Sequence, residues 1–282
     1  WLAWRLKLPA IVFLLVCGVL AGPLTGWLNP DQLLGELLFP FVSLAVAVIL
    51  FEGSLTLRFR DIPGLARVIR NMITIGVLIT LAITTLATRW LLGFPWELAA
   101  LFGAIMVVTG PTVIMPLIRT VRPRENVANV LQWEGILIDP IGALLAVLVY
   151  QFAISGGVQA GMAAGSVVFA KMLLIGVLFG VGGGCLFGTL LRKYWVPQFL
   201  HNVISLALVC GVFAFSNLLE AESGLLSVTV MGVWLANQKD LDLEEVLDFK
   251  ETLSLLLISF LFIILAARMD LAAFLEIGWP AL

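Results

Sequence analysis

The chain has 282 residues, of which 61% are hydrophobic and 12% are charged, and its formal net charge is −2. A soluble domain carries roughly 25% charged residues, so the composition excludes a protein whose whole surface faces water. No basic tract of the kind that binds nucleic acid is present, and the three cysteines lack the spacing of a zinc site or a disulfide framework. We therefore expect an integral membrane protein surrounded by lipid bilayer, with no nucleic-acid partner and no cofactor.

Nine apolar segments follow one another along the chain, joined by short connections rich in turn residues. A helix needs about 20 apolar residues to cross a bilayer, and the predicted helices cover roughly 9–27, 32–56, 69–92, 96–118, 126–153, 160–191, 200–219, 224–238 and 251–272. The predicted fold class is all-α, a polytopic membrane helix bundle. Because the chain opens abruptly on Trp1 and stops at Leu282 soon after a helix, we expect residues 1–282 to be a single transmembrane domain that is truncated at both ends.

Basic residues are distributed unevenly between the two sides of this bundle. When the loops are assigned alternately, one side contains Arg89 alone, and the side of the N-terminus collects Arg5, Lys7, Arg58, Arg60, Arg67, Arg70, Arg119, Arg122, Arg124, Arg192, Lys193, Lys239 and Lys250. Loops rich in lysine and arginine remain in the cytoplasm. The sequence therefore predicts that the basic loops are cytoplasmic and that the protein resides in the cell (inner) membrane.

Four glycines at intervals of four residues lie on one face of the helix 160–191, namely Gly176, Gly180, Gly184 and Gly188. Such a small-residue face lets a second helix backbone approach closely. Packing within the bundle is the favoured interpretation, and a contact between two copies of the chain is the alternative.

Asp139 is the charged residue placed deepest in the predicted bilayer, with some 13 residues of the helix 126–153 before it and about as many after. Charged residues at this depth are costly unless they are paired or hydrated, and they usually serve a function. Pro140 leaves a backbone carbonyl one turn earlier without its donor. A carboxylate close to a free carbonyl suits a small cation. We therefore predict that Asp139 binds a monovalent cation or a proton; the alternative is an aspartate held by an arginine purely for packing.

A second unusual feature is the Thr109-Gly110-Pro111 segment in the middle of the helix 96–118. Gly-Pro inside a span interrupts helical hydrogen bonding. Irregular backbone at that depth is tolerated where it lines a cavity or is buried in protein, and transporters use broken helices to present carbonyls and helix ends to ions. The segment predicts a broken helix at mid-membrane, with a simple proline kink as the alternative.

Further charges lie within the predicted spans. Glu134 is five residues before Asp139 and so points to a different side of the helix. Arg268, in the last helix, is the obvious partner for an ion pair with Glu134 that locks two helices together. Glu52 lies near the cytoplasmic end of its helix and is a further candidate for an accessory role.

At these residues the sequence resembles the monovalent cation/proton antiporters, the sodium/proton exchanger family. The likeness rests on Phe51 to Leu55, Thr109-Gly110-Pro111, Glu134 to Asp139 and Phe262 to Arg268, with a weaker match at Glu222 to Leu226, all in the family's order along nearly the whole chain. The resemblance implies an exchanger-type fold of thirteen helices, of which these nine would be the second to the tenth. It also implies a core domain with crossed broken helices and a dimerisation domain, hence a homodimer.

The resemblance also implies roles for single residues. Asp139 matches the family's cation- and proton-binding aspartate, and Thr109 matches the threonine of the broken helix that contributes backbone oxygen. Glu134 and Arg268 match a glutamate–arginine ion pair, and Glu52 matches an acidic residue of the third helix. The sequence differs from many exchangers at Ile138, where they have asparagine, and at Gly110, where they have aspartate. These differences leave the site with fewer side-chain ligands.

The predicted function is secondary active transport in which a sodium or potassium ion is exchanged for protons. Asp139 would bind the cation and the proton alternately, and a single exchanging carboxylate favours electroneutral exchange. The alternative is a cation channel or a transporter-like sensor without exchange. We do not expect an enzyme. An intramembrane aspartyl protease needs two facing carboxylates, and Asp139 has no obvious partner. A serine hydrolase needs a base, and the only histidine, His201, lies at the start of a helix.

Overall fold

The computed structural model describes residues 3, 5, 10–110, 113, 114, 117, 118, 121–154, 158–238, 241 and 244–270. Within this part of the chain the regular structure is helical throughout. The described ranges contain nine helices, in chain order: α1 Ala10–Val19, α2 Pro30–Ser54, α3 Ala66–Leu91, α4 Trp96–Met106, α5 Glu125–Ile154, α6 Val158–Arg192, α7 His201–Leu219, α8 Ser223–Ala236 and α9 Glu244–Ala267. The prediction of an all-α bundle with nine helices is confirmed.

Local irregularities fall where the sequence weakens helical hydrogen bonding. The π-helical turn Leu20–Leu24 follows α1 and contains Pro23, which lacks a backbone N–H. A 3-10 turn, Gly35–Leu37, interrupts α2 near its start, and the π-helical turn Met72–Gly76 lies within α3. At the start of α2 the side chain of Asn29 accepts a hydrogen bond from the backbone N–H of Gln32 at 3.2 Å, which caps the helix.

Five of the described helices, α2, α3, α5, α6 and α7, are long and apolar enough to cross a membrane, while α1, α4, α8 and the apolar part of α9 are shorter. The outer faces of the bundle carry large apolar side chains. On α3, for example, Leu78 and Ile83 are each 62% exposed. Water would make such a surface unfavourable, whereas lipid chains are as apolar as leucine. The exterior is therefore built for a bilayer.

The largest core cluster joins α2, α6, α7 and α8 around Phe51, Phe187 and Met231. The glycine face of α6 packs against α8: a Cβ built on Gly180 would lie 2.6 Å from the carbonyl oxygen of Ser227, and one on Gly184 would lie 2.7 Å from the Trp234 ring. The glycines therefore allow close approach of α8 within the same chain, and the prediction of packing within the bundle is confirmed.

The last helix packs against the first two. A Cβ built on Gly18 of α1 would lie 2.5 Å from the carbonyl oxygen of Ile263, so α1 and α9 run together at backbone distance. On α2, Phe41 meets Phe260 edge to face, with 5.2 Å between ring centroids. This arrangement carries the end of α9 to the start of α2.

Candidate functional site

The predicted broken helix is present. Helix α4 ends at Met106, and Val108 to Gly110 have no regular secondary structure; we call Val108 to Gly110 the break. Gly110 has a φ of +34°, in the region that favours glycine. Helical hydrogen bonding resumes from its carbonyl oxygen, which accepts from the N–H of Val113 at 3.3 Å and of Ile114 at 3.4 Å. The predicted site residue Pro111 lies outside the described residues.

The break lies alongside the middle of α5. Val107 packs with Ile138 in an apolar cluster that also includes Val77 of α3. Val108 touches α5 at Gly142, where an added Cβ would collide with its side chain. On the other side of the break, Ile114 lies 2.6 Å from a Cβ built on Gly135. The irregular backbone therefore faces the stretch of α5 that contains Asp139.

Asp139 is the fifteenth residue of the 30-residue α5, counted from Glu125, and its side chain is partly buried. Helix α5 runs on through Pro140, which is buried. Because proline has no N–H, the carbonyl oxygen of Ile136 receives no helical hydrogen bond from residue 140. No described side chain pairs with the Asp139 carboxylate. The middle of α5 thus presents an acidic group about one turn from a carbonyl that lacks its usual helical donor.

Thr109 and Glu134 are joined directly. The Thr109 hydroxyl donates a hydrogen bond of 2.8 Å to Oε1 of Glu134, whose side chain is only 7% exposed. Thr109 itself is exposed. This contact ties the break to α5 one and a half turns before Asp139. Two of the predicted site residues are therefore brought together, through a pairing that the sequence did not indicate.

Arg268 lies elsewhere, just beyond the end of α9. Its Nε is 3.1 Å from Oδ1 and 3.2 Å from Oδ2 of Asp31, and its guanidinium carbon is 4.8 Å from the centroid of the Phe39 ring. The structure does not bring Glu134 and Arg268 together: among the described residues, Glu134 accepts from Thr109 and Arg268 binds Asp31. A charged pair at exposed helix ends loses less hydration than one at the bilayer centre.

Glu52 lies in the last turns of α2 and is partly buried. Just after it, the chain contacts the first turns of α5: the Gln132 amide donates to the Thr56 hydroxyl, and the Trp133 ring stacks on Phe59 with 5.8 Å between centroids. Sequence reasoning missed Gln132 and Trp133. These residues directly precede Glu134 in the sequence. That position could have indicated that they lie on the same stretch of α5 as the predicted site.

Asn237 fastens the end of α8 to the same region. Its amide nitrogen donates to the carbonyl oxygens of Leu57 at 2.9 Å and Val233 at 2.8 Å, and its Oδ1 accepts from the backbone N–H of Phe59 at 2.7 Å. These bonds satisfy backbone groups in the connection after α2 and in the last turn of α8. The ends of α2, α5 and α8 therefore meet on one side of the bundle.

Several curated proteins resemble the chain over most of its length. The K(+)/H(+) antiporter NhaP2 of Shewanella sp. (strain MR-4) is 28% identical over 287 residues, covering 99% of this chain and 48% of the relative. The K(+)/H(+) antiporter NhaP of Alkalimonas amylolytica is 30% identical, covering 83% and 41%. The Na(+)/H(+) antiporter 1 of Methanocaldococcus jannaschii is 27% identical, covering 96% and 65%. The chain thus spans about half the length of the Shewanella and Alkalimonas relatives.

The fold matches solved structures of the sodium proton antiporter MjNhaP1 from Methanocaldococcus jannaschii. One, determined by electron microscopy, superposes with a TM-score of 0.75 at 24% identity, covering 95% of this chain and 66% of that one. Another, described as at pH 8, gives a TM-score of 0.76, covering 96% and 67%. The family described as sodium/hydrogen exchanger, transmembrane, matches residues 1–282. The chain therefore belongs to the sodium/hydrogen exchanger family.

Proposed function

We propose that the whole protein exchanges a monovalent cation, sodium or potassium, for protons across the cell membrane, and that Asp139 binds the two alternately. The observation that carries this proposal is the position of the break against α5. Val107, just before the break, packs with Ile138, and Val108 reaches Gly142, so this segment contacts α5 just before and just after Asp139 in the sequence. Family membership supplies the reaction class, since relatives named as K(+)/H(+) and Na(+)/H(+) antiporters are 28% and 27% identical to this chain.

The chemistry follows from a carboxylate at mid-membrane. A deprotonated Asp139 attracts a cation, and backbone carbonyl oxygens replace part of the cation's hydration shell. The carbonyl oxygen of Ile136, freed by Pro140, is one such group, and the backbone oxygens of the break and the Thr109 hydroxyl are others. When Asp139 is protonated, its attraction for the cation is lost. A proton and a cation therefore compete for one group.

Competition for one group couples the two flows. Asp139 is neutralised either by a proton or by a cation, so the loaded domain carries the same charge in both directions. Exchange is then one for one and electroneutral. Glu134 accepts a hydrogen bond from the Thr109 hydroxyl. In this proposal its role is to hold the break in place, and Asp139 is the residue that binds the ion. Glu52, Gly110 and Pro111 are accessory residues in this proposal, and a homodimer with its basic loops in the cytoplasm is the arrangement that it implies.

The decisive experiment reconstitutes the full-length protein in vesicles and follows the internal pH after addition of sodium or potassium. Asp139→Asn removes the exchanging proton while keeping the side chain's size, so cation-driven proton movement should fall to the level of empty vesicles. The matched control is Asp31→Asn, the same change at an aspartate that is exposed and pairs with Arg268. This variant should exchange at the wild-type rate. Unchanged exchange in Asp139→Asn would remove Asp139 from the mechanism.

The same vesicles separate an exchanger from a channel or a sensor. An exchanger moves the cation only when protons or another cation move the other way, and its rate saturates with cation concentration. A channel passes the cation without a counter-ion, and the membrane potential then sets the rate. A sensor would move neither. The expected result is saturable flux that does not respond to an imposed membrane potential.

A further inference from the structure

A groove on the outer surface of the bundle, between α6 and α7, has no part in the proposed exchange. It encloses about 440 Å³, within the range of small-molecule sites, and the side chains that line it are apolar. Leu178 and Leu186 of α6 and Phe215 of α7 form its rims and are 60%, 52% and 63% exposed. The groove is therefore open towards the surrounding lipid rather than towards the interior.

Small residues create the space. Gly182 of α6 and Gly211 of α7 line the groove, and a Cβ built on either glycine would meet nothing within 4 Å. The neighbouring Gly183 differs, because its Cβ would lie 2.6 Å from the Val212 side chain. Gly183 thus serves the packing between the helices, whereas Gly182 and Gly211 leave a groove that no described residue fills.

Positive charge lies beyond one end of the groove. Lys193 is 11 residues after Gly182, which is three helical turns, and its N–H still bonds to the Thr189 carbonyl at 3.0 Å. Lys193 therefore continues the stripe of α6 that lines the groove. Its ammonium lies 4.9 Å from the Trp195 ring. Arg192 is adjacent, and Trp195 is 69% exposed, as aromatic side chains are at a membrane–water interface.

The spacing fits a lipid of the leaflet on the side of Lys193. From Lys193 to Leu186 is 7 residues and to Leu178 is 15, so the groove runs from about 10 to about 22 Å below the charge. One leaflet's share of the hydrocarbon core is about 15 Å. We propose that this groove binds an acyl chain of an anionic phospholipid, whose phosphate group is held at Lys193.

The test uses full-length protein in vesicles of phosphatidylcholine that contain phosphatidylglycerol with a photoreactive group on its acyl chain. After illumination, peptide mapping should place the label on residues 178–186 and 207–215. Gly211→Leu and, separately, Gly182→Leu fill the groove without meeting other atoms at Cβ, so each should remove this label while leaving thermal unfolding of the protein unchanged. Two variants on opposite walls ensure that poor folding of one does not decide the result.

The headgroup is tested by competition with unlabelled lipids. Phosphatidylglycerol should displace the label better than phosphatidylcholine, and Lys193→Ala should reduce that preference about fivefold, the size expected for one basic residue at an anionic surface. Lys171→Ala is the matched control, because Lys171 is an exposed lysine on the same helix beyond the other end of the groove. It should leave the preference unchanged.

Three outcomes would overturn the proposal. Labelling spread evenly over the apolar surface, or unaffected by both leucine variants, would mean that the groove holds no particular lipid. If Lys171→Ala, rather than Lys193→Ala, removed the preference for phosphatidylglycerol, the headgroup would lie in the leaflet opposite the proposed one. A change from dimer to monomer in the leucine variants, with no acyl-chain label in the wild type, would make the groove an interface between two copies of the chain.

Discussion

Two regions of the bundle place polar side chains among apolar helices, and they differ in whether those side chains have hydrogen-bond partners. Next to the turn between α7 and α8, the serine cluster formed by Ser216 of α7 with Ser223 and Ser227 of α8 is 0% exposed. Its hydroxyls bond to one another, with the Ser216 Oγ 2.7 Å from that of Ser223 and 2.6 Å from that of Ser227. At the middle of α5, by contrast, Asp139 is partly exposed and no described side chain pairs with it.

In the proposed mechanism, this difference separates a structural polar group from one that binds ions. Two serines of the cluster also bond to backbone carbonyls: Ser223 to that of Ser216 at 2.8 Å, and Ser227 to that of Ser223 at 3.0 Å. A fully satisfied network stabilises one packing and offers nothing to a ligand. An unpaired carboxylate at the middle of a membrane is unfavourable, and a bound cation or proton lowers that free energy by neutralising its charge.

The largest effect on stability should come from adding a methyl group at Gly224, directly beside the serine cluster. In Gly224→Ala the new Cβ would lie 2.8 Å from the Phe213 carbonyl oxygen and 2.8 Å from Oδ1 of Asn217, which accepts from the Gly224 N–H. Backbone cannot move aside cheaply, so the expected loss is about 3 kcal/mol. Thermal unfolding of the full-length protein in detergent measures this loss, and the folded fraction should still exchange ions.

Gly142→Ala is the matched change on α5. It should lower stability less than Gly224→Ala does but slow ion exchange more. Its Cβ collides with the side chain of Val108 rather than with backbone, so the stability loss should be smaller, about 1 kcal/mol. Displacement of Val108 moves the break, however, and ion exchange should slow several-fold more than the loss of folded protein explains. If both alanine variants lose stability and exchange in the same proportion, the two regions do not differ in the way described.

The number of helices and the position of the break could be predicted from the sequence because both depend on local composition. Apolar runs of sufficient length become helices in a bilayer, and Gly110 with Pro111 interrupts one of them. Side-chain partners could not be predicted, because they depend on which helices become neighbours. Thr109 and Glu134 are 25 residues apart, and Arg268 and Asp31 are 237 apart.

The serine cluster shows the same limit in another form. Its three members follow a local pattern, with Ser223 and Ser227 one helical turn apart. The pattern alone did not reveal that the turn between α7 and α8 folds Ser216 back onto them. A charged residue in an apolar run indicates a special site because a charge in lipid is costly, whereas a serine hydroxyl can bond to a carbonyl of its own helix and so gives no such indication.

A medium effect is expected at the contact between Thr109 and Glu134. Thr109→Val keeps the shape of the side chain but removes the hydroxyl, which leaves a buried carboxyl without its donor and costs about 2 kcal/mol. Thr109→Ser retains the hydroxyl and is the control. Thermal unfolding should show a clear loss of stability in the valine variant and little in the serine variant. Equal losses would mean that the hydrogen bond to Glu134 does not stabilise the break.

The smallest effect is expected at Arg268, and it tests which partner this residue has. Arg268 and Asp31 have side chains that are 40% and 57% exposed, and exposed ion pairs contribute about 0.2–1 kcal/mol. Arg268→Ala and Asp31→Ala should therefore each cost less than about 1 kcal/mol, and the double variant little more than either alone.

The ion pair expected from the sequence makes a different prediction for the same variants. If Arg268 neutralised the buried Glu134, its removal would leave an uncompensated charge and cost about 3–5 kcal/mol, while Asp31→Ala would cost almost nothing. Adding Glu134→Gln to Arg268→Ala would then recover most of that loss. With Arg268 bound to Asp31, Glu134→Gln should recover none of it, because the two side chains do not share a contact.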